Sequence, residues 1–222
     1  LAVLASSLGR EDELCSALVN ALFASDERDL SIAMELAQIA EFEADDYESA
    51  IKAWEVVLEV GDDKADAFDS LERLYRHQER WQPLRDLLVA KVDSDLMSDE
   101  VELQKSTWLG IADLEEGVLD NRAGAIVAYV NIVDLEPEHE RANRALERLY
   151  EGDGAWERLE MLLARQMSFA EGNSAELCFR RALIRVDKMN DQPGALELAE
   201  EVLSDSPEHL GARKLVQDSM DN

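Results

Sequence analysis

Three histidines, His77, His139 and His209, are the side chains in this sequence best suited to acid–base or metal chemistry at neutral pH. His139 and His209 each follow a Pro-Glu dipeptide, which predicts the first turn of a helix. No cysteine or carboxylate cluster has ligand spacing with any of the three. We therefore expect solvated histidines, no catalytic residue and no metal site.

An acidic stretch, "DSDLMSDE" over residues 93–100, invites comparison with a calcium loop. It has neither the glycine at the sixth position nor the glutamate at the twelfth that an EF-hand loop needs. The pattern instead favours an acidic helix entry in which Ser98 is the N-cap residue. No glycine-rich phosphate loop or hydrolase nucleophile motif is present, so we expect neither an enzyme nor a cofactor.

Arginine side chains offer a different chemistry, the recognition of carboxylates through paired hydrogen bonds. Arg141, Arg144 and Arg148 are spaced by three and four residues, which predicts one stripe on a helix. The candidate partner-binding residues are Arg73, Arg76, Arg141, Arg144, Arg148, Arg180 and Arg181. The alternative is ordinary pairing with a carboxylate four residues earlier on the same helix, as in Asp69–Arg73, Glu72–Arg76, Glu140–Arg144 and Glu176–Arg180.

Overall charge limits the partners. The 222 residues carry 50 acidic and 22 basic side chains, a net charge of −28, which disfavours nucleic acids and anionic membranes. No apolar run approaches the length of a membrane span. Cys15 and Cys178 lie far apart without a CxxC motif, which is typical of reduced thiols in a cytoplasmic protein.

The elements that position these residues are predicted from an internal repeat. "LERLYRHQERW" (71–81) and "LERLYEGDGAW" (146–156) coincide when the sequence is shifted by 75. Three segments share a stripe of Ala, then an apolar residue four and seven positions later, which lies on one helical face. These stripes are Ala50/Trp54/Val57, Ala125/Tyr129/Ile132 and Ala195/Ala199/Val202.

Taken along the chain, the patterns predict an all-α fold of antiparallel helix pairs with short connections. The helices are expected near 1–8, 11–25, 29–43, 46–60, 64–78, 81–93, 98–116, 121–135, 139–151, 154–170, 173–189, 192–204 and 207–219. This is six pairs and a thirteenth helix, and no linker divides them. We expect one solenoid over residues 1–222, cut from a longer repeat protein.

These positions resemble the tetratricopeptide repeat (TPR) family, whose unit is a 34-residue antiparallel helix pair. The matching residues include Leu71 and Tyr75, then Ala50 with Trp54, Ala125 with Tyr129, Pro137 and Pro207. The resemblance implies a right-handed superhelical α-solenoid whose first helices line a concave groove, and the candidate arginines lie on such helices. The resemblance does not extend to the carboxylate-clamp subtype, which needs Lys and Asn at set positions of the first helices. Asn143 is the only asparagine that lies well inside a predicted first helix.

The function expected from this fold is a non-catalytic scaffold that binds a segment of a partner protein in its groove. A structural spacer or self-association element within a larger protein is the alternative. The sequence does not distinguish the two, because both need only a regular stack of helix pairs.

Overall fold

A computed structural model describes residues 11–24, 29–62, 64–169, 172 and 174–220. Within these ranges the chain contains twelve α-helices, one short 3₁₀ helix at Asp95–Met97 and no β-strand. The helices are α1 (Glu11–Phe23), α2 (Leu30–Phe42), α3 (Tyr47–Val60), α4 (Ala65–His77), α5 (Trp81–Val92), α6 (Val101–Gly117), α7 (Arg122–Leu135), α8 (Glu140–Asp153), α9 (Trp156–Met167), α10 (Ser174–Lys188), α11 (Gln192–Asp205) and α12 (Leu210–Met220). The predicted all-α fold is confirmed, while the helix expected over 1–8 lies outside the described residues.

The helices belong to two compact units. The first comprises residues 1–107 and 117–119, and in it each of α1 to α5 packs against its neighbour in sequence. The second comprises residues 108–116 and 120–222, and there α7 to α12 pack in the same consecutive way. The prediction of a single solenoid with a superhelical path depends on how the two units are arranged relative to each other. It stays a prediction.

Small and large residues alternate in the core as the sequence stripes predict. Ala50 and Ala125 are fully buried, and the aromatic residues one turn later, Trp54 and Tyr129, are 5% and 3% exposed. Alanine at these positions lets a neighbouring helix approach closely, and the ring fills the space beside it. The third stripe, which begins at Ala195, is equally buried.

The turn inside each pair has one residue in the left-handed region. It is Asp45, Glu79, Asp120, Gly154 or Asn190, with φ between 50° and 66°. The following amide then closes the turn on a carbonyl of the preceding helix. The closure spans six residues in Asp46–Ala40, Asn121–Glu115 and Asp191–Arg185, and five in Arg80–Tyr75 and Ala155–Tyr150.

Two kinds of turn therefore alternate along the chain. In the six-residue kind the N-cap residue before the second helix is Asp46, Asn121 or Asp191, whose side chain accepts a hydrogen bond from the amide three residues on. In the five-residue kind the corresponding residue is Arg80 or Ala155, which makes no such bond. The repeat of 75 residues thus corresponds to four helices.

The entry to α6 differs from the prediction. Ser98 is not the N-cap residue, because its hydroxyl donates to the carbonyl of Asp95, and the first bond of α6 runs from Gln104 N–H to the carbonyl of Glu100 at 2.9 Å. The cause is the 3₁₀ turn, whose last residue, Met97, is 1% exposed and therefore moves the start of the helix to Val101.

Candidate partner-binding surface

All seven candidate arginines lie on first helices of pairs. Arg73 and Arg76 are on α4, Arg180 and Arg181 are on α10, and Arg141, Arg144 and Arg148 are on α8. Each of the seven guanidinium groups contacts a carboxylate. Any external anion would therefore share or displace an internal partner.

Two of the expected same-helix pairs are present. Arg76 contacts Glu72 at 3.0 Å and Arg144 contacts Glu140, both at a separation of four residues. In the second pair the side chains are 76% and 75% exposed. Such a solvated pair contributes about 0.3–0.5 kcal/mol, so Arg144 can exchange its partner at little cost.

The other two expected pairs are wrong. Arg73 contacts Glu41 on α2 instead of Asp69, and Arg180 contacts Glu147 and Glu151 on α8, at 2.5 and 2.7 Å, instead of Glu176. These contacts join successive first helices. The arginines pair with carboxylates on the earlier helix because those carboxylates are less exposed. The side chain of Glu41 is 2% exposed and that of Asp69 is 75% exposed, so leaving Glu41 without a counter-charge would cost more free energy.

A glutamate that receives two donors is repeated with the shift of 75, buried in the first unit and about 30% exposed in the second. Glu41 accepts from Arg73 and, at 3.1 Å, from the Trp54 indole N–H. Glu116 accepts from Arg148 and, at 3.4 Å, from the Tyr129 hydroxyl. Sequence reasoning did not find these two glutamates, although both members of each pair recur at the same shift. Arg73 and Arg148 are accordingly tied to the packing of their own unit.

Arg181 belongs to a buried network. Glu160 on α9 is 7% exposed, and its Oε1 accepts from Arg181 at 2.7 and 3.0 Å and from Arg185 at 2.9 and 3.1 Å. Burial alone would raise the pKa of Glu160, but the hydrogen bonds from the two arginines outweigh it and hold the pKa below its usual value. The group is a structural ion cluster in which Arg181 is largely enclosed.

A groove of about 460 Å³ borders the α8 stripe. Arg144, Asn143 and Glu147 line it from α8, and Gln166 lines it from the end of α9. The remaining lining residues are two glutamates and two apolar side chains, Glu138, Glu140, Phe169 and Leu177. The polar members are ordered by one another. Asn143 donates to the carbonyl of Pro137 at 2.8 Å, and Gln166 donates to Asn143 at 3.3 Å and to Glu147 at 2.9 Å. The groove thus presents amide, carboxylate and apolar groups beside Arg144.

The histidines have local structural roles. Nδ1 of His139 accepts the amide of Ala142 at 3.2 Å, and Nδ1 of His209 accepts the amide of Ala212 at 3.1 Å, so each caps the helix it precedes. The prediction of merely solvated first-turn residues missed this cap. His77 packs against the ring of Tyr47 at 4.8 Å. Among the described residues, no group of three or more His, Cys, Asp or Glu side chains is arranged to hold a metal ion.

Two further properties bear on the class of protein. In the part of the chain that the structure describes, no helix is both long and apolar enough to cross a membrane. Both cysteines are buried free thiols. Burial raises the pKa of Cys178 to about 11, and Glu201 adds to the rise.

No protein-family model and no curated protein matches the sequence. Solved structures do match, and tetratricopeptide repeat proteins are among them, in agreement with the resemblance predicted from the sequence. A TPR repeats protein from Bacteroides fragilis is 15% identical over 99% of this chain and 94% of its own, with a TM-score of 0.44. YrrB, described as a TPR protein with an unusual peptide-binding site, is 14% identical over 91% of this chain and 99% of its own, with a TM-score of 0.37.

A third match is the complex of Naa15 and Naa10 bound to HypK-THB. It is 15% identical and covers 96% of this chain and 40% of that one, with a TM-score of 0.48. At these identities the likeness concerns the fold alone.

Proposed function

We propose that this chain is a non-catalytic protein-interaction scaffold that binds an acidic segment of a partner protein along its first helices. The observation that carries the proposal is the exposed stripe of Arg141, Arg144 and Arg148 beside a groove that mixes amide, carboxylate and apolar side chains. Peptide grooves need this combination, because the polar groups orient a backbone and the apolar ones accept its side chains.

Within the stripe, Arg141 and Arg144 are the residues best suited to hold the partner. Their internal partners, Asp113 and Glu140, are 56% and 75% exposed, so a carboxylate from the partner can replace them at little cost. Arg148 shares Glu116 with Tyr129 and keeps that bond in the proposed complex. Arg73 and Arg76 form a similar but smaller surface in the first unit, while Arg180 and Arg181 act mainly by ordering the groove wall.

Charge sets the character of the binding. A net charge of −28 repels an acidic segment at a distance, so attraction must arise within the Debye length of about 8 Å at physiological salt. Binding is therefore modest, short-range and weakened by salt. The same charge and the two free thiols support a cytoplasmic protein that binds neither nucleic acid nor membrane.

The decisive experiment compares charge-reversed variants. A segment captured from the source lysate by cross-linking is synthesised and titrated by fluorescence polarisation against wild type, an Arg141→Glu, Arg144→Glu double variant and a control, Arg213→Glu. Arg213 is also half exposed and paired with a glutamate. We expect the double variant to bind at least about tenfold more weakly and the control to match wild type. Equal binding by all three proteins would refute the surface.

The structural alternative retains one specific support. The contacts Arg73–Glu41 and Arg180–Glu147 join successive first helices and would stiffen each unit as a spacer. Sedimentation velocity over a range of concentrations separates the two functions. Concentration-dependent self-association without capture of any segment would favour the structural role.

A further inference from the structure

A second groove lies on the second helices, between α7 and α9 of the same unit. It has a volume of about 440 Å³ and a largely apolar wall. Leu146 and Tyr150 of α8 contribute to its floor, and Val127 and Met161 stand at its sides, 57% and 69% exposed. Large apolar side chains with that exposure on both sides of one groove leave apolar surface in water.

The internal repeat shows that the fold does not require this apolar rim. Shifted back by 75, the floor residues Leu146 and Tyr150 become Leu71 and Tyr75, which are equally buried. The rim residues instead become charged. Val127, Val130 and Met161 correspond to Lys52, Glu55 and Asp86. The first repeat thus packs the same core under a charged surface, so packing alone does not explain the apolar rim of the second.

Two polar groups at this groove have no partner within the described ranges. In the first repeat the Tyr75 hydroxyl donates to Glu55 at 2.7 Å. In the second, Val130 stands where Glu55 would be, and the hydroxyl of Tyr150, a residue only 6% exposed, makes no hydrogen bond to a described residue. Arg158 lines the same groove. Among the arginines in the described ranges, it is the one that has no carboxylate oxygen of a described residue within 4.0 Å.

Arg158 and Tyr150 line the same groove, one from α9 and the other from α8. Burial raises the pKa of the Tyr150 hydroxyl, and the positive charge of Arg158 opposes that rise. Both are hydrogen-bond donors, and a carboxylate accepts from both at once. The other arginine of the groove, Arg165, is occupied by Asp134 and by the carbonyl of Val133, each at 2.7 Å.

We propose that this groove docks an amphipathic helix of a partner protein. A large apolar side chain of that helix inserts between Val127 and Met161, and a neighbouring carboxylate binds Arg158 and the Tyr150 hydroxyl. A helix fits because the groove runs between two helices and both exposed rims must be covered, which a small molecule would not do. A second copy of this chain is disfavoured by the repulsion between two bodies that each carry −28.

This surface is separate from the α8 stripe, and its test does not depend on that proposal. The probe is a short capped helical peptide with Leu and Phe on one face and Glu beside them. It is compared with the same peptide carrying Gln for Glu, and with one carrying Ser for the apolar residues. Titrations by fluorescence polarisation use wild type, Arg158→Gln, and a triple variant, Val127→Lys, Val130→Glu, Met161→Asp. The triple variant introduces the residues that the first repeat already accommodates, and its helix content is checked by circular dichroism.

We expect wild type to prefer the Glu peptide over the Gln peptide by about five- to tenfold and to bind the Ser peptide least. Arg158→Gln should remove the Glu preference while it keeps apolar binding. The triple variant should lose at least about tenfold in affinity, and Arg141→Glu, Arg144→Glu should bind this probe like wild type. Equal binding of the Glu peptide by wild type and the triple variant would overturn the proposal. Self-association of wild type that the triple variant abolishes would also overturn it, because a second copy would then be the occupant.

Discussion

The buried carboxylate of Glu160 provides a sharp test of the energetics. Glu160→Gln keeps the shape and one acceptor oxygen but removes the charge that faces Arg181 and Arg185, which are 15% and 27% exposed. Removal of one partner from a buried ion pair costs about 3–5 kcal/mol. The amide oxygen still accepts hydrogen bonds, and Arg185 retains Asp191 at 3.3 Å. We therefore expect the free energy of unfolding to fall by about 2–3 kcal/mol.

The pH dependence of this loss has a definite sign. The pKa of Glu160 is lowered in the folded protein, so its stabilisation is fully present above the pKa of an unfolded glutamate and disappears as pH falls through the folded value. The difference between wild type and Glu160→Gln should therefore be largest near neutral pH and shrink in acid.

Urea titration at several pH values gives that difference, and hydrogen exchange of α9 and α10 locates it. Glu140→Gln is the matched control, because the Glu140–Arg144 pair is about three quarters exposed and should change stability by less than about 0.5 kcal/mol. Equal losses in the two variants, or a Glu160→Gln loss that does not change with pH, would refute the reasoning.

Two further outcomes are expected. His139→Ala and His209→Ala should each lower the free energy of unfolding by about 0.5–2 kcal/mol through loss of a helix cap. Asparagine at either position should restore most of that free energy. A urea titration that shows no difference between the alanine and asparagine variants would exclude the caps. The Cys178 thiol, 2% exposed and with its pKa raised to about 11, should react with a disulfide reagent at neutral pH only as fast as its helices open, and labelling of the folded protein at the rate of a free thiol would contradict its burial.

The sequence predicts the helices well and the contacts of the arginines poorly, for a physical reason. A stripe such as Ala50/Trp54/Val57 is a local pattern, and the burial of one face follows from it directly. The spacing of residues on one helix identifies Asp69 as a partner for Arg73. It gives no information about Glu41, which is 32 residues away and becomes a neighbour only when the helices pack. Competition between the two carboxylates is decided by burial, a property of the packed unit.

Two of the ion pairs on the candidate surface could nevertheless have been predicted from the sequence. The pairs Glu41–Arg73 and Glu116–Arg148 recur at the shift of 75, and a charged pair repeated in this way indicates a contact between the helices that carry it. That Arg158 has no carboxylate partner among the described residues could not be predicted, because it depends on which side chains surround that arginine after folding.

The alternation of turns indicates how a chain of this kind lengthens. A tandem duplication of two helices would place two turns of the same kind in succession. Second helices with an N-cap side chain would then no longer alternate with second helices that have none. Copying of four helices at once preserves the sequence of turns, as the matching pairs Asp45 with Asp120 and Glu79 with Gly154 show. The repeating structural unit is therefore four helices long. Homologues that differ in length by whole modules should differ by about 75 residues, and engineered insertions should be tolerated best in the same step.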